Sequence, residues 1–159
     1  MISNFKRTAN WLSACGKTPS EQNASTQVGV HLEEISEFLR EVTIISNTGI
    51  SHNTLQEIAE ALSGVGVVLK KGYAQAAIYD HEAALDALCD AEVTGNGVAY
   101  LLNYDKPGAD LAVLAANEAK LNDDGTPVIL DGGKIGKKAG WTAPDIAPFV
   151  ANAITFQAA

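Results

Sequence analysis

The chain has 159 residues, of which 47% are hydrophobic and 19% are charged, and its formal net charge at pH 7 is −8. No apolar run approaches the roughly 20 residues that a membrane-spanning helix needs, and the first residues lack the apolar core of a signal peptide. The negative charge disfavours binding to duplex nucleic acid, because phosphate neutralisation supplies most of the sequence-independent affinity. We expect a cytoplasmic protein with one domain over 1–159.

The first half of the chain carries helix start and stop signals. Apolar spacing predicts a short helix from about Ser3 to Ala14, with Gly16 ending it. The segment 18–21, Thr-Pro-Ser-Glu, matches a capping box with Thr18 as N-cap. It predicts a long helix that runs to about Ile45.

Two further helices are predicted in the middle of the chain. A second capping box at 54–57 opens a helix that Lys-Lys-Gly at 70–72 should end. Its apolar seam consists of Leu55, Ile58, Leu62, Val65 and Leu69. Another helix is expected from about His81 to Asn103.

The last third changes character. A helix from about Pro107 to Leu121 precedes a turn at 122–125. Residues 126–136 then predict a small hairpin or an ordered loop, and Thr-Ala-Pro-Asp at 142–145 opens a helix that continues to the end of the chain. The sequence as a whole predicts an all-α bundle of four to six helices with a short C-terminal loop or hairpin.

Two acidic sets are the candidate metal-binding groups. Glu33, Glu34 and Glu37 share one side of the long helix, and Asp86 and Asp90 are i,i+4 neighbours on a later helix. Like charges at these spacings cost a few tenths of a kcal/mol per pair, which a divalent cation would offset. A solvated surface is the alternative. Apolar residues on both sides of each helix favour partly buried acidic faces.

Cations are concentrated towards the C-terminus. Four of the eleven lysines and arginines are Lys120, Lys134, Lys137 and Lys138. This placement would suit an anionic ligand held between a metal and a lysine group, and a solubilising surface is the alternative. The two cysteines, Cys15 and Cys89, form no Cys-x-x-Cys pair or Cys/His cluster, so a zinc site has no support.

The ordered series of motifs resembles a known family. The series consists of Glu33-Glu34-x-x-Glu37, Asp86-x-x-x-Asp90, Asn117-x-x-Lys120, Asp124-Gly125, Gly133-Lys134-x-x-Lys137, Gly140-Trp141 and Pro144-Asp145. It resembles the all-α nucleoside triphosphate pyrophosphohydrolases, which include MazG-like proteins, and its tail is similar to the phosphoribosyl-ATP pyrophosphohydrolase-like branch. One departure is Ala87, which stands three residues before Asp90, where the family usually has the glutamate of a Glu-x-x-Asp motif. Asp86, one residue earlier, is the substitute ligand.

The resemblance implies hydrolysis of a (deoxy)nucleoside triphosphate to a monophosphate and pyrophosphate, in nucleotide-pool house-cleaning. Mg²⁺, with Mn²⁺ as a substitute, would be held by Glu34, Glu37, Asp86 and Asp90. Glu33 would be a further ligand or the base that activates water. Asn117, Lys120, Lys134 and Lys137 would bind the substrate. Trp141 would stack on the base or act as a packing anchor.

Family members are homo-oligomers, so the resemblance also implies a homodimer or homotetramer. Two alternatives to a house-cleaning enzyme stay open. One is phosphoribosyl-ATP pyrophosphohydrolase, whose substrate carries the same triphosphate. The other is a non-catalytic protein that binds nucleotides or a partner helix, with Ala87 marking a degenerate site.

Overall fold

The computed structural model describes residues 2–44, 52–130 and 134–156. Within these ranges the chain is all-helical, as the sequence predicts. The helices are α1 (Asn4–Ala14), α2 (Glu21–Arg40), α3 (His52–Lys70), α4 (His81–Leu101), α5 (Lys106–Glu118) and a 3-10 helix (Ala147–Val150). In the described part of the chain, no helix is both long and apolar enough to cross a bilayer.

The starts of α1 and α2 depend on serine caps. Ser3 Oγ accepts a hydrogen bond from Lys6 N, and Gly16, at φ 73°, follows the end of α1. The prediction that Thr18 caps the next helix is wrong. Ser20 has the extended backbone of an N-cap, and its Oγ accepts from Asn23 N at 3.2 Å.

The long helix α2 ends at Arg40, earlier than the predicted end near Ile45, which lies outside the described residues. Glu41 is the C-cap, and the β-branched run 42–44 disfavours further helix because each residue loses side-chain freedom there. Helix α3 begins at His52, two residues before the predicted cap at Thr54.

The described residues divide into two compact units. The α2–α3 unit comprises Pro19–Tyr79, and the α1–α4–α5 unit comprises 2–18 with Asp80–Phe156. Each unit is described below by itself. A single domain over 1–159 stays a prediction.

The α2–α3 unit is built on a close approach of two helix backbones. A Cβ placed on Gly29 would lie 2.8 Å from the carbonyl oxygen of Gly66, and one on Gly66 would lie 2.7 Å from that of Gly29. The buried residues are mostly small, namely Ser25, Gly29, Ser36, Ala59, Gly66 and Leu69. The predicted α3 seam is therefore partly wrong, since Ile58 and Val65 are about half exposed.

The α1–α4–α5 unit packs α5 against α1, α4 and the 3-10 helix. Asp105 caps α5 by accepting from Gly108 N, and the Asp105 N–H donates to the Phe149 carbonyl at 2.8 Å. Along α4, Ala99 is buried. Many larger apolar side chains of α4 are exposed, namely Leu85, Leu88, Val93, Val98, Tyr100 and Leu101.

The C-terminal segment contains hairpin-like pairing but not the predicted long final helix. Ile129 and Ile135 form an antiparallel bridge, and the predicted loop at 131–133 lies outside the described residues. After Thr142 the described chain forms only the four-residue 3-10 helix. Pro148 has no N–H to donate, and the β-branched Ile154 and Thr155 are weak helix formers, so no helix follows Val150 in the described residues up to 156.

Candidate functional site

Three of the predicted site carboxylates lie in the second half of α2. Glu33 is half-buried, and its carboxylate accepts a hydrogen bond from the ammonium group of Lys70, the last residue of α3. Glu34 and Glu37 are exposed. The expectation of a partly buried acidic face therefore holds for Glu33 and is wrong for its two neighbours.

The predicted aspartates lie on α4, in the other unit. Asp80 fixes the start of this helix, because its Oδ1 accepts from the N–H groups of Glu82 and Ala83. Asp86 and Asp90 follow six and ten residues later, and both are exposed, so the expected partial burial of this acidic face is wrong.

The two acidic sets supply the carboxylate oxygens that Mg²⁺ prefers. Glu34 and Glu37 are i,i+3 neighbours, and Asp86 and Asp90 are i,i+4 neighbours, so each pair projects from one side of its helix. Across residues 2–44, 52–130 and 134–156, no three His, Cys, Asp or Glu side chains gather at one point. The carboxylate oxygens of each pair are therefore of the chemical type that binds the predicted Mg²⁺.

Four predicted substrate-binding residues come together at the end of α5. Lys120 Nζ donates to Asn117 Oδ1 at 2.7 Å and lies 5.7 Å from the centroid of the Trp141 ring. Lys137 Nζ lies 4.3 Å from the same ring. These residues, Asn117, Lys120, Lys137 and Trp141, are called the Lys120–Trp141 cluster below. It places two ammonium groups around one aromatic ring, an arrangement that attracts anions.

The end of α5 explains why this cluster forms. The last carbonyls of a helix have no partner within the helix, and Trp141 Nε1 donates to the carbonyl oxygen of Ala116 at 2.7 Å. Gly140, at φ 76°, provides the turn that brings Trp141 back towards α5. The Lys120 N–H donates to the Asn117 carbonyl at 3.1 Å, which places both side chains in the same turn.

Lys134 occupies a different place in the same segment. Its carbonyl accepts from Leu130 N at 2.8 Å, so its backbone belongs to the hairpin-like pairing, and the residue is exposed. In the described part of the chain, its ammonium group is not among the cations over Trp141. Asp124, of the predicted Asp-Gly motif, accepts from the N–H and hydroxyl of Thr126 and stabilises the turn before the hairpin.

Sequence reasoning missed two features beside the cluster. The Trp11 ring lies 5.6 Å from Lys120 Nζ, so that two indoles flank this ammonium group. Arg7 forms a two-pronged ion pair with Glu118, at 2.9 and 2.8 Å. Trp11 could have been noticed as one of only two tryptophans. No local signal marks the ion pair, because its partners are 111 positions apart.

Hydrogen bonds and burial shift several pKa values in this unit. The hydrogen bonds from Arg7 lower the pKa of Glu118, and those from Thr126 lower the pKa of Asp124. The Lys138 ammonium lowers the pKa of Asp123 in the same way. Burial raises the pKa of the Cys15 thiol, and the positive charges of Lys120 and Lys17 partly oppose this. A buried thiol of raised pKa is a poor nucleophile, so Cys15 acts as a packing residue.

The chain matches no protein-family model, no curated protein and no solved structure. Its functional assignment therefore depends on its own residues and their geometry.

Proposed function

We propose that this chain is a Mg²⁺-dependent pyrophosphohydrolase that converts a (deoxy)nucleoside triphosphate into a monophosphate and pyrophosphate. The observation that carries the proposal is the Lys120–Trp141 cluster. Asn117, Lys120, Lys137 and Trp141 come from separate sequence motifs and lie together at the end of α5. Such a group supplies two point charges for phosphate oxygens and an amide for a directed hydrogen bond.

The candidate metal ligands are two carboxylate pairs, Glu34 with Glu37 on α2 and Asp86 with Asp90 on α4, each of which could supply oxygens to Mg²⁺. When bound, Mg²⁺ would neutralise phosphate charge and polarise the α-phosphorus for attack by water. Lys120 and Lys137 would bind phosphate oxygens, and Asn117 would hold the Lys120 ammonium in position. Lys134 would add a further positive charge from the hairpin.

Glu33 has a different role from its neighbours in this proposal. Its ion pair with Lys70 supports a structural role, because a carboxylate that holds an ammonium group must release it before it can take a proton from water. We therefore assign Glu33 to positioning of α2 against α3. The base that activates water would come from the exposed carboxylates.

The proposal includes a cytoplasmic homodimer or homotetramer. Exposed apolar side chains along α4, such as Leu88, Val93 and Leu101, support it, because a partner subunit would remove them from water. Glutaraldehyde crosslinking and sedimentation at several protein concentrations would measure the oligomeric state.

The test is a pyrophosphate-release screen of the ribo- and deoxyribonucleoside triphosphates and phosphoribosyl-ATP, with Mg²⁺ or Mn²⁺. We expect turnover of one or a few substrates. Glu37→Gln should lower kcat/KM by about a hundredfold or more, and Lys137→Gln by about ten- to a hundredfold, the cost of a charged hydrogen bond. Glu41→Gln, at the exposed end of α2, is the matched control and should leave kcat/KM unchanged.

Other outcomes separate the alternatives. Turnover of phosphoribosyl-ATP alone would assign the chain to that reaction. Binding of a triphosphate without pyrophosphate release would contradict the enzyme and favour the non-catalytic nucleotide-binding protein. If the chain neither binds a triphosphate nor releases pyrophosphate, the enzyme and the nucleotide-binding protein are both contradicted.

A further inference from the structure

A cavity of about 530 Å³ lies between α1 and α5, beside the Lys120–Trp141 cluster. Trp11, Ala14, Leu111 and Leu121 provide apolar wall, and the Arg7–Glu118 ion pair provides polar groups. The volume is within the range of small-molecule sites, and a mostly apolar lining with a few polar groups is typical of them. The substrate-binding residues predicted from the sequence do not line this cavity.

Trp11 connects the cavity to the cluster. It lines the cavity, and its ring lies 5.6 Å from Lys120 Nζ. Its indole N–H is buried and has no hydrogen-bond partner among the described residues, so the part of Trp11 that a ligand in the cavity can contact is the ring. The indole ring therefore offers an aromatic surface on which a planar ligand can stack.

We propose that this cavity binds the base of the nucleotide whose phosphates contact the Lys120–Trp141 cluster. The inference rests on the proposed function, which it deepens by assigning the base site. A base is a planar aromatic group, and it can stack on an indole ring. One sugar separates the base from the first phosphate, which agrees with a cavity that shares Trp11 with Lys120.

The Arg7–Glu118 pair would contact the edge of the base. The pair uses two of the five guanidinium N–H groups. The remaining N–H groups can donate to a base carbonyl, and the carboxylate oxygens can accept from a base amino group. This pair would therefore determine which base is preferred, whereas the lysines would bind any phosphate chain.

The first test uses Trp11 as a probe in the full chain. Trp141→Phe keeps an aromatic ring over the lysines and leaves Trp11 as the single tryptophan. Titration with the four common nucleoside 5′-monophosphates should change Trp11 emission saturably for at least one of them. Ribose 5-phosphate, which has the phosphate but no base, should change the emission less than the responding nucleotide does. An equal response to ribose 5-phosphate, or no response to any nucleotide, would overturn the proposal.

The second test fills the cavity. Ala14 is exposed at the end of α1 and lines the cavity, so Ala14→Phe should weaken nucleoside monophosphate binding at least about tenfold, measured by calorimetry. Binding of tripolyphosphate, which has no base, should not change. Ala61→Phe, at an exposed position of α3, is the matched control and should bind both ligands like the unmodified chain. Unchanged nucleotide affinity in folded Ala14→Phe would contradict the proposal.

These measurements do not depend on turnover. If the chain binds nucleotides at this cavity but releases no pyrophosphate, the base site stands and the enzyme assignment fails. If pyrophosphate is released with the same KM in Ala14→Phe as in the unmodified chain, the enzyme stands and the base site fails.

Discussion

The two units of the molecule are held together in different ways. The α2–α3 unit depends on backbone contact at Gly29 and Gly66, with small side chains buried on either side. The α1–α4–α5 unit packs α5 against α1, α4 and the 3-10 helix, joins α1 to α5 through the Arg7–Glu118 ion pair, and leaves much of α4 exposed. A helix rich in apolar residues is therefore not necessarily a buried one. Three experiments test this difference between the two units.

The largest effect is expected from truncating a leucine in each unit. Leu69 is 6% exposed and Leu101 is 72% exposed. Leu69→Ala should lower the free energy of unfolding by about 2–4 kcal/mol, because it removes buried contacts and leaves a cavity. In the dissociated single chain, Leu101→Ala should change it by less than about 0.5 kcal/mol. Urea denaturation measures both. An equally large loss for Leu101→Ala in the dissociated chain would mean that α4 is covered within the single chain.

The glycine contact gives the next largest effect. Gly66→Ala should destabilise the fold by about 1–3 kcal/mol, because its Cβ would meet the Gly29 carbonyl oxygen at 2.7 Å. Gly64→Ala in the same helix is the matched control, since a Cβ there meets nothing within 4 Å. It should stabilise the fold by about 0.5–1 kcal/mol through helix propensity. If both substitutions stabilised the protein equally, the close backbone contact would not exist in solution.

The smallest effect concerns acid sensitivity of the α1–α4–α5 unit. The pKa of Glu118 is lowered by Arg7 from its ordinary value of 4.5, so the unfolded chain takes up this proton at a higher pH than the folded one. The pair therefore contributes stability above that value, and the contribution is lost as the pH falls through the folded pKa. Arg7→Gln should make unfolding free energy less dependent on pH over this acidic range.

Urea denaturation between neutral and acidic pH measures this dependence. Lys6→Gln removes one positive charge from the same helix without touching Glu118 and serves as the control. Its free energy of unfolding should depend on pH as in the unmodified chain. An unaltered slope in Arg7→Gln would show that the ion pair does not contribute to acid sensitivity.

Prediction from sequence succeeded where the signal was local. The ends of α1 and α3 and the turn at 122–125 follow from Gly16, Gly72 and Gly125, each of which adopts positive φ. It failed where two local signals compete. Both Thr18 and Ser20 are good caps, and the hydrogen bond to Asn23 N selects Ser20.

The candidate site was predictable to a different extent in each unit. The convergence of Asn117, Lys120, Lys137 and Trp141 agrees with motifs that were already visible in the sequence. The pairing of Glu33 with Lys70 was not predictable, because it depends on how α3 packs against α2. Trp11 belongs to none of the sequence motifs, so its place beside Lys120 was not predictable.

The sequence by itself predicted helices α1 to α5, most of their approximate ends and which residues share a helix face, because caps, glycines and apolar spacing act within a few residues. The tertiary structure alone decided which faces are buried. Hydrophobicity predicted the apolar stripes. The backbones of α2 and α3 meet instead at Gly29 and Gly66, so small residues rather than large ones occupy the contact between these helices. The partners of Glu33, Glu118 and Lys120 are likewise a tertiary outcome, since periodicity assigns a residue to a face but does not specify what that face meets.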